Sequence, residues 1–303
     1  VIETRNLTKH FGSVVALDKL NLVIGPGDIF GYIGPNGAGK STTMKILATL
    51  LEPTGGSATV CGLDCTREGA KIRPLLGYMP DYIGGYDDLN VYEYLSFFAA
   101  AFKIPRRERN KVVDGVLELT DLTGKKNALV DSLSRGMKQR LGIARVLVHD
   151  PKVLLLDEPA SGLDPRARIE MRELLKELKR MGKTILVSSH ILSELGEMCN
   201  KIGIIEKGRM IFSGTFDEIV RRLGGQTRVR VSVGGPLDPA VTLLTGLPCV
   251  DHVEKIDHEI AVTFKAGQKC DGSIAAALVQ AKIPLLALVP EQIKLEEAFM
   301  RLT

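Results

Sequence analysis

The sequence predicts an α/β protein of two units: a large one built on a parallel sheet covered on both faces, and a small one at the C-terminal end. Three observations carry this. Largely apolar strands at 29–33, 153–156 and 184–187 alternate with helical stretches, the order expected of a buried parallel sheet. A glycine-rich run, Gly34-Pro35-Asn36-Gly37-Ala38-Gly39-Lys40-Ser41, sits between the first of these strands and a helix beginning near Thr42. The pattern breaks around Leu223-Gly224-Gly225-Gln226, and short elements with period-two alternation follow.

Taken in order, residues 2–5 and 20–24 have strand character, with a turn at Gly25-Pro26-Gly27. Residues 57–63 and 72–79 read as further strands. From about 88 to 148 the apolar residues recur at helical spacing, beginning after Asp87-Asp88. A helix over 166–181 separates the strands at 153–156 and 184–187, and 201–206 is a strand. These elements assign 1–222 to the first domain and 223–227 to a linker. In the second domain, 228–303, the predicted order is a strand at 228–233, a helix at 240–245, strands at 250–256 and 259–264, a helix at 273–280 and a strand at 285–289. That β-α-β-β-α-β order is the one of a ferredoxin-like split unit. A last helix is expected at 295–299.

Bulk composition excludes several classes. The chain has 303 residues, 45% hydrophobic and 25% charged, an ordinary globular balance with enough length for a sizeable core. A net charge of +4 is too weak to argue for nucleic acid, and the basic run from Lys103 to Lys111 reads as a solvated turn. The five cysteines, at 61, 65, 199, 249 and 270, form no zinc pattern and read as free thiols in a reducing compartment. No apolar stretch reaches the roughly 18 residues needed to span a bilayer, and no signal peptide is visible. Any membrane span must come from another chain.

The chemistry is carried by four segments. The run from Gly34 to Ser41 matches G-x-x-x-x-G-K-[ST], in which glycines let successive N–H groups point at phosphate oxygens and a helix N-terminus adds positive character. Lys40 is the residue to reach the β and γ phosphates, and the Ser41 hydroxyl can ligate Mg²⁺. The strand 153–156 ends in Asp157-Glu158, one carboxylate suited to a metal and the next to polarising a water. The loop Pro159 to Asp164 that follows argues against a mere acidic helix start. His190 follows the strand end Ser188-Ser189, the one histidine placed where phosphates are expected; His10, His149, His252 and His258 read as structural. Leu133-Ser134-Arg135-Gly136-Met137 read alone is a serine-capped helix start.

Together and in this order, these segments resemble the nucleotide-binding subunit of ATP-binding cassette (ABC) transporters, over residues 1 to about 222. The resemblance implies a P-loop NTPase cassette with a mixed sheet core, an antiparallel β subdomain and a helical subdomain at about 88–148. It implies that Phe11 stacks on adenine, that Asn36, Gly37, Gly39, Lys40, Ser41 and Thr42 hold ATP, and that Ser41 and Asp157 hold Mg²⁺. Glu158 becomes the general base and His190 the γ-phosphate contact. Ser134 and Gly136 are expected to meet the nucleotide of a second cassette, with Asp164 helping to join the halves. The sequence departs from the family pattern at two places. Arg135-Gly136-Met137 stands where Gly-Gly-Gln is usual, and Asp81 stands where a metal-sensing glutamine is usual, its shorter, charged carboxylate still offering an oxygen as a third Mg²⁺ ligand. Segments 77–80, 86–89 and 295–299 are most similar to exporters whose six-span permease is a separate chain. The implied partners are that permease, with a short helix in the groove formed by the Asp81 loop and the helical segment after it, and a second cassette, either another copy of this chain or a sister. The implied location is the cytoplasmic face of the cell membrane.

Two other classes compete. A soluble cassette ATPase remodelling DNA or ribosomes is expected to carry long coiled coils or tandem cassettes, and the sequence shows neither. A non-hydrolysing nucleotide sensor is expected to lack some of Lys40, Asp157, Glu158 and His190, and all four are present.

Overall fold

A computed structural model of the chain describes residues 1–82, 84, 88–191, 195, 196, 198–215, 218, 219, 228–265 and 272–291. Contacts divide it into two compact units, Val1–Phe216 and Asp217–Thr303. The linker expected at 223–227 and the helix expected at 295–299 lie outside the described residues.

The first unit holds two sheets. Strands β1 (Ile2–Phe11) and β2 (Val14–Ile24) form an antiparallel hairpin, extended by β4 (Gly55–Val60) and β5 (Leu63–Asp64) in the order β2-β1-β4-β5. Both hairpin strands run longer than the sequence suggests. Register shifts between Thr4 and Leu7, and again beyond, break the alternation that would have revealed them. The strand expected over 57–63 is interrupted because Cys61 and Gly62 both take positive φ (52 and 80), a two-residue hairpin turn.

The second sheet has the order β10-β9-β3-β8-β7-β6. Its members are β3 (Ile29–Ile33), β6 (Leu76–Met79), β7 (Val153–Leu156), β8 (Thr184–Ser189), β9 (Lys201–Glu206) and β10 (Arg209–Gly214). Five run parallel, and β10 is antiparallel to β9 at the edge. Every residue of β3, β7 and β8 is buried, which is why β7 and most of β3 are apolar, as is the middle of β8, rather than alternating. The strand expected over 72–79 begins only at Leu76. Gly69–Ile72 is helical (α2) and Arg73-Pro74-Leu75 forms a tight turn, because proline cannot donate to a ladder but starts a helical turn readily. At the other end of β3, Asp28 is held by Asn200 Nδ2 (2.7 Å), Lys201 Nζ (3.0 Å) and the Gly25 N–H (2.9 Å), tying the entry of β3 to β9.

Helix α1 (Lys40–Leu47) leaves the glycine-rich loop directly. The helical region contains α3 (Val91–Ala101), α4 (Arg106–Leu119) and α5 (Arg135–Leu147). Helix α3 starts on a reciprocal capping box: Asn90 Oδ1 accepts from the Glu93 N–H (2.9 Å) and Glu93 Oε2 accepts from the Asn90 N–H (3.0 Å). The basic run from Lys103 to Lys111 is solvated as expected, but from Arg106 it is the first turns of α4 rather than a turn. Helix α6 (Pro165–Arg180) is capped by Asp164, whose Oδ1 accepts from the Ala167 N–H at 2.8 Å. It buries Met171, Leu174, Leu175 and Leu178, one stripe at helical spacing.

The second unit is a four-stranded antiparallel sheet, β12-β13-β11-β14, with its own buried core. The strands are β11 (Arg228–Val233), β12 (Val250–Ile256), β13 (Glu259–Phe264) and β14 (Leu285–Glu291). The helices are α7 (Leu237–Thr245) and α8 (Ser273–Gln280). Placing the third strand between the first and second is the ferredoxin-like split arrangement. Cys61, Cys65 and Cys199 are free, but Cys249 is disulfide-bonded, which corrects the expectation of five free thiols. Cys270 lies outside the described residues.

Candidate functional site

The parallel register sets the site. Ile33 of β3 pairs with Ser189 of β8, and Val187 of β8 pairs with Leu156 of β7. The chain therefore leaves three neighbouring strands at the same end of the sheet. There it delivers the glycine-rich loop, Asp157-Glu158 and His190 side by side, at the carboxyl ends where open α/β sheets bind ligands.

The loop is held by close approach. A Cβ on Gly34 would stand 2.3 Å from the carbonyl oxygen of Ile205. Gly39 has φ 111, and a Cβ there would stand 2.7 Å from Leu17 Cδ2 and 2.8 Å from the Ala16 oxygen. Neither position admits a side chain, so the backbone itself wraps the site. Lys40 is buried inside this wrap. Its ammonium donates to the Gly34 carbonyl (2.6 Å) and the Pro35 carbonyl (3.3 Å), and lies 3.6 Å from Glu158 Oε1. That last distance is an ion pair without a hydrogen bond, and Glu158 Oε1 is buried with no hydrogen-bond partner. The other oxygen, Oε2, lies 2.9 Å from His190 Nδ1. Glu158 itself sits at φ 52, an uncommon backbone conformation for a non-glycine residue.

A cleft of about 180 Å³ is lined by residues 35–42 together with Asp81, Asp157 and Glu158. It thus joins Asn36, Gly37, Gly39, Lys40, Ser41 and Thr42 to three carboxylates, with His190 reaching in through Glu158. Partial burial, then the charges of Asp157 and Glu158, hold the Asp81 carboxyl above the usual carboxylate range, against the pull of Arg135 and His190. An excess of carboxylate around a cradle of N–H groups suits a ligand that is itself anionic and arrives with a cation.

Ser188 is the residue that sequence reasoning missed. Its hydroxyl donates to Asp157 Oδ1 (2.6 Å) and accepts from the Glu158 N–H (2.9 Å), fixing both carboxylate residues from the neighbouring strand. No sequence pattern pointed to it, since its full burial at the end of an apolar strand shows only in the fold.

Three of the expected residues lie elsewhere. Phe11 ends β1, half exposed, with the Lys9 ammonium 5.2 Å from its ring centroid, and it does not line the cleft. Farther along the same strand pair, Ala16 and Leu17 of β2 pack against Gly39, so the hairpin is anchored on the glycine-rich loop. Ser134 and Gly136 line a second depression of about 260 Å³ with Arg135, Gly162 and Asp164. Ser134 caps α5, its hydroxyl accepting from the Met137 N–H at 3.4 Å.

Comparison with known proteins agrees with this geometry. The family described as "ABC transporter" matches residues 17–161. The chain is 32% identical over 305 residues to the linearmycin resistance ATP-binding protein LnrL of Bacillus subtilis (strain 168), covering 100% of this chain and 98% of that protein. It is 35% identical over 309 residues to the bacitracin transport ATP-binding protein BcrA of Bacillus licheniformis, covering 100% and 97%. Among solved structures it resembles the dimeric bacterial ABC transporter cassette MJ0796, with a TM-score of 0.65 and 28% identity over 71% of this chain and 98% of that one. The same cassette has also been solved in a post-hydrolysis state bound to ADP and Pi.

Proposed function

Because this chain belongs to the family of ABC transporter ATP-binding proteins, we propose that it binds and hydrolyses ATP to drive a separate membrane-spanning permease in export. The observation that carries this is the single cleft in which the phosphate loop, Lys40, Asp157 and Glu158 converge, with His190 hydrogen-bonded to Glu158.

Within that cleft the backbone N–H groups of the loop and the Lys40 ammonium receive the β and γ phosphates. Ser41 and Asp157, with Asp81 beside them, supply the oxygens that would hold Mg²⁺, which when bound offsets the phosphate charge. Among the described residues no three His, Cys, Asp or Glu side chains could hold a metal unaided. That fits a small cation that keeps phosphate and water ligands. Glu158 accepts a proton from the attacking water, and the buried Oε1 without a hydrogen-bond partner is the atom positioned to do so. His190 orients that carboxylate through Oε2. Phe11 stacks on the base. Ser134 and Gly136 act on the nucleotide of a second cassette, since within one chain they line a different depression from Lys40.

Ser188→Ala is expected to raise the Mg²⁺ concentration for half-maximal ATPase activity by about tenfold, because removing a partner of a metal-holding carboxylate typically costs 10–100-fold. A Mg²⁺ titration of ATPase rate checks it.

The permease is proposed to seat a short cytoplasmic segment in an apolar groove of about 380 Å³ beside Leu50, Phe98 and Phe102, rimmed by Arg73 and Arg145. The Tyr78 hydroxyl and His149 Nδ1 lie there buried without hydrogen-bond partners. No helix among the described residues is long and apolar enough to cross a membrane, so the proposed place at the cytoplasmic membrane face depends on that partner. The test is purification from gently solubilised native membranes. A polytopic protein is expected to accompany the chain, and to be lost in Phe102→Glu while the isolated chain keeps its ATPase rate. Recovery with ribosomal or DNA-associated proteins instead, with ATPase intact, would overturn the transporter assignment.

A further inference from the structure

Arg135, at one of the places where the chain departs from the family pattern, has a structural partner. Its side chain occupies the space that a side chain at Gly162 would fill. A Cβ at Gly162 would stand 2.3 Å from Arg135 Cζ and 2.5 Å from each terminal nitrogen. Near-equal distances to three atoms of one plane put that Cβ over the guanidinium face. The cation therefore lies flat on the Gly162 α-carbon. Gly162 has φ 66, a conformation that favours glycine, and the guanidinium above it fills the space a side chain there would take. One residue further on, a Cβ at Gly136 would stand 3.2 Å from Ala167 Cβ in the first turn of α6, so the joint is close on both sides of Arg135.

What this contact connects gives it meaning. On one side is the start of α5, capped by Ser134. On the other is the loop leaving Glu158, in which the Ser161 N–H donates to the Glu158 carbonyl at 3.1 Å and which ends at Asp164, the cap of α6. The geometry points to Arg135 as a positioning residue that clamps the start of α5 to the loop leaving Glu158, so that Ser134 and Glu158 are set together. A planar guanidinium suits this, since it presents a flat face to a glycine where an ammonium on a flexible stem does not. This inference rests on the reading of the chain as an ATPase whose Ser134 serves a second cassette.

A double-mutant cycle tests it, with steady-state ATPase and thermal unfolding measured on wild-type, Arg135→Ala, Gly162→Ala and the double variant. Alanine at φ 66 carries the same backbone strain in both backgrounds, so that strain cancels and the coupling between the two sites remains. Arg135→Ala is expected to lower kcat about tenfold, the size of a coupling between contacting residues. KM for ATP should stay within about twofold, because Arg135 does not line the cleft around Lys40 and reaches it only through its charge on Asp81. Gly162→Ala expels the guanidinium and should cost at least as much. The double variant should be no slower than Gly162→Ala alone, and Arg135→Lys should fail to restore the rate. Additive losses in the double variant, or full activity in Arg135→Lys, would overturn the clamp and assign Arg135 a role as a point charge acting elsewhere. A wild-type chain without ATPase activity would instead sink the functional reading on which the clamp depends, and the clamp with it.

Discussion

Glu158→Gln is expected to lower ATP turnover by about 10²–10⁴-fold, the usual contribution of a positioned general base, while leaving ATP binding intact. The two carboxylate oxygens of Glu158 have different surroundings. Oε2 is engaged by His190 at 2.9 Å, and Oε1 is buried, facing Lys40 at 3.6 Å without a hydrogen bond. Glutamine keeps the size and can keep one contact, but it cannot accept a proton from water. The main chain that places the residue is left as it was, because its N–H is fixed by Ser188 Oγ and its carbonyl by the Ser161 N–H. Substrate should therefore bind and wait. In a cassette that closes on ATP with a second copy, the waiting state is the dimer. Light scattering in saturating ATP and Mg²⁺ should report twice the monomer mass for Glu158→Gln and a smaller average for wild-type. Glu158→Gln that remains monomeric under those conditions would falsify the sandwich of two cassettes, while a full turnover rate would remove Glu158 as the base.

The features legible in the sequence are those that sit at the ends of buried strands. Each apolar strand of the parallel sheet delivers its following residues to a fixed place, so Lys40, Asp157, Glu158 and His190 could be placed from contiguous motifs alone. The glycines of the loop were legible as a pattern, although the reason for Gly34, the Ile205 carbonyl 2.3 Å from where a Cβ would stand, required the fold. Less could be read where the decisive neighbour is distant in sequence. Ser188 acts on Asp157 and Glu158 across a strand pair, and Arg135 meets Gly162 across a helix joint. Neither contact leaves a periodic or compositional trace. The hairpin of β1 and β2 is longer than its sequence suggests because its bulges scramble the alternation, and the turn at Arg73-Pro74-Leu75 reads as strand because its flanks are apolar. Cys249 shows the limit of composition: spacing excluded a zinc site but could not identify a disulfide-bonded residue.

Lys40→Ala should weaken ATP binding by about 10²–10³-fold, the range expected when one partner of a desolvated charge pair is removed. The buried ammonium does two things. Among the described residues it is the only lysine lining the cleft, and it donates to the Gly34 and Pro35 carbonyls of the loop. Alanine removes the first function and leaves Glu158 Oε1 without its counter-ion, so an incoming triphosphate meets uncompensated carboxylate from Asp157 and Glu158. Arginine should not rescue binding, since its planar guanidinium is larger than the ammonium that the site encloses almost fully. Titration with a fluorescent ATP analogue measures the loss, and affinity unchanged from wild-type would mean the loop backbone alone holds the phosphates. Combining the two substitutions orders the steps. If ATP is the bridge between cassettes, Lys40→Ala with Glu158→Gln must stay monomeric at ATP concentrations that dimerise Glu158→Gln alone, because a trapped state cannot form before its ligand is bound. If the pair still dimerises there, closure is driven by protein surfaces rather than by the nucleotide between them.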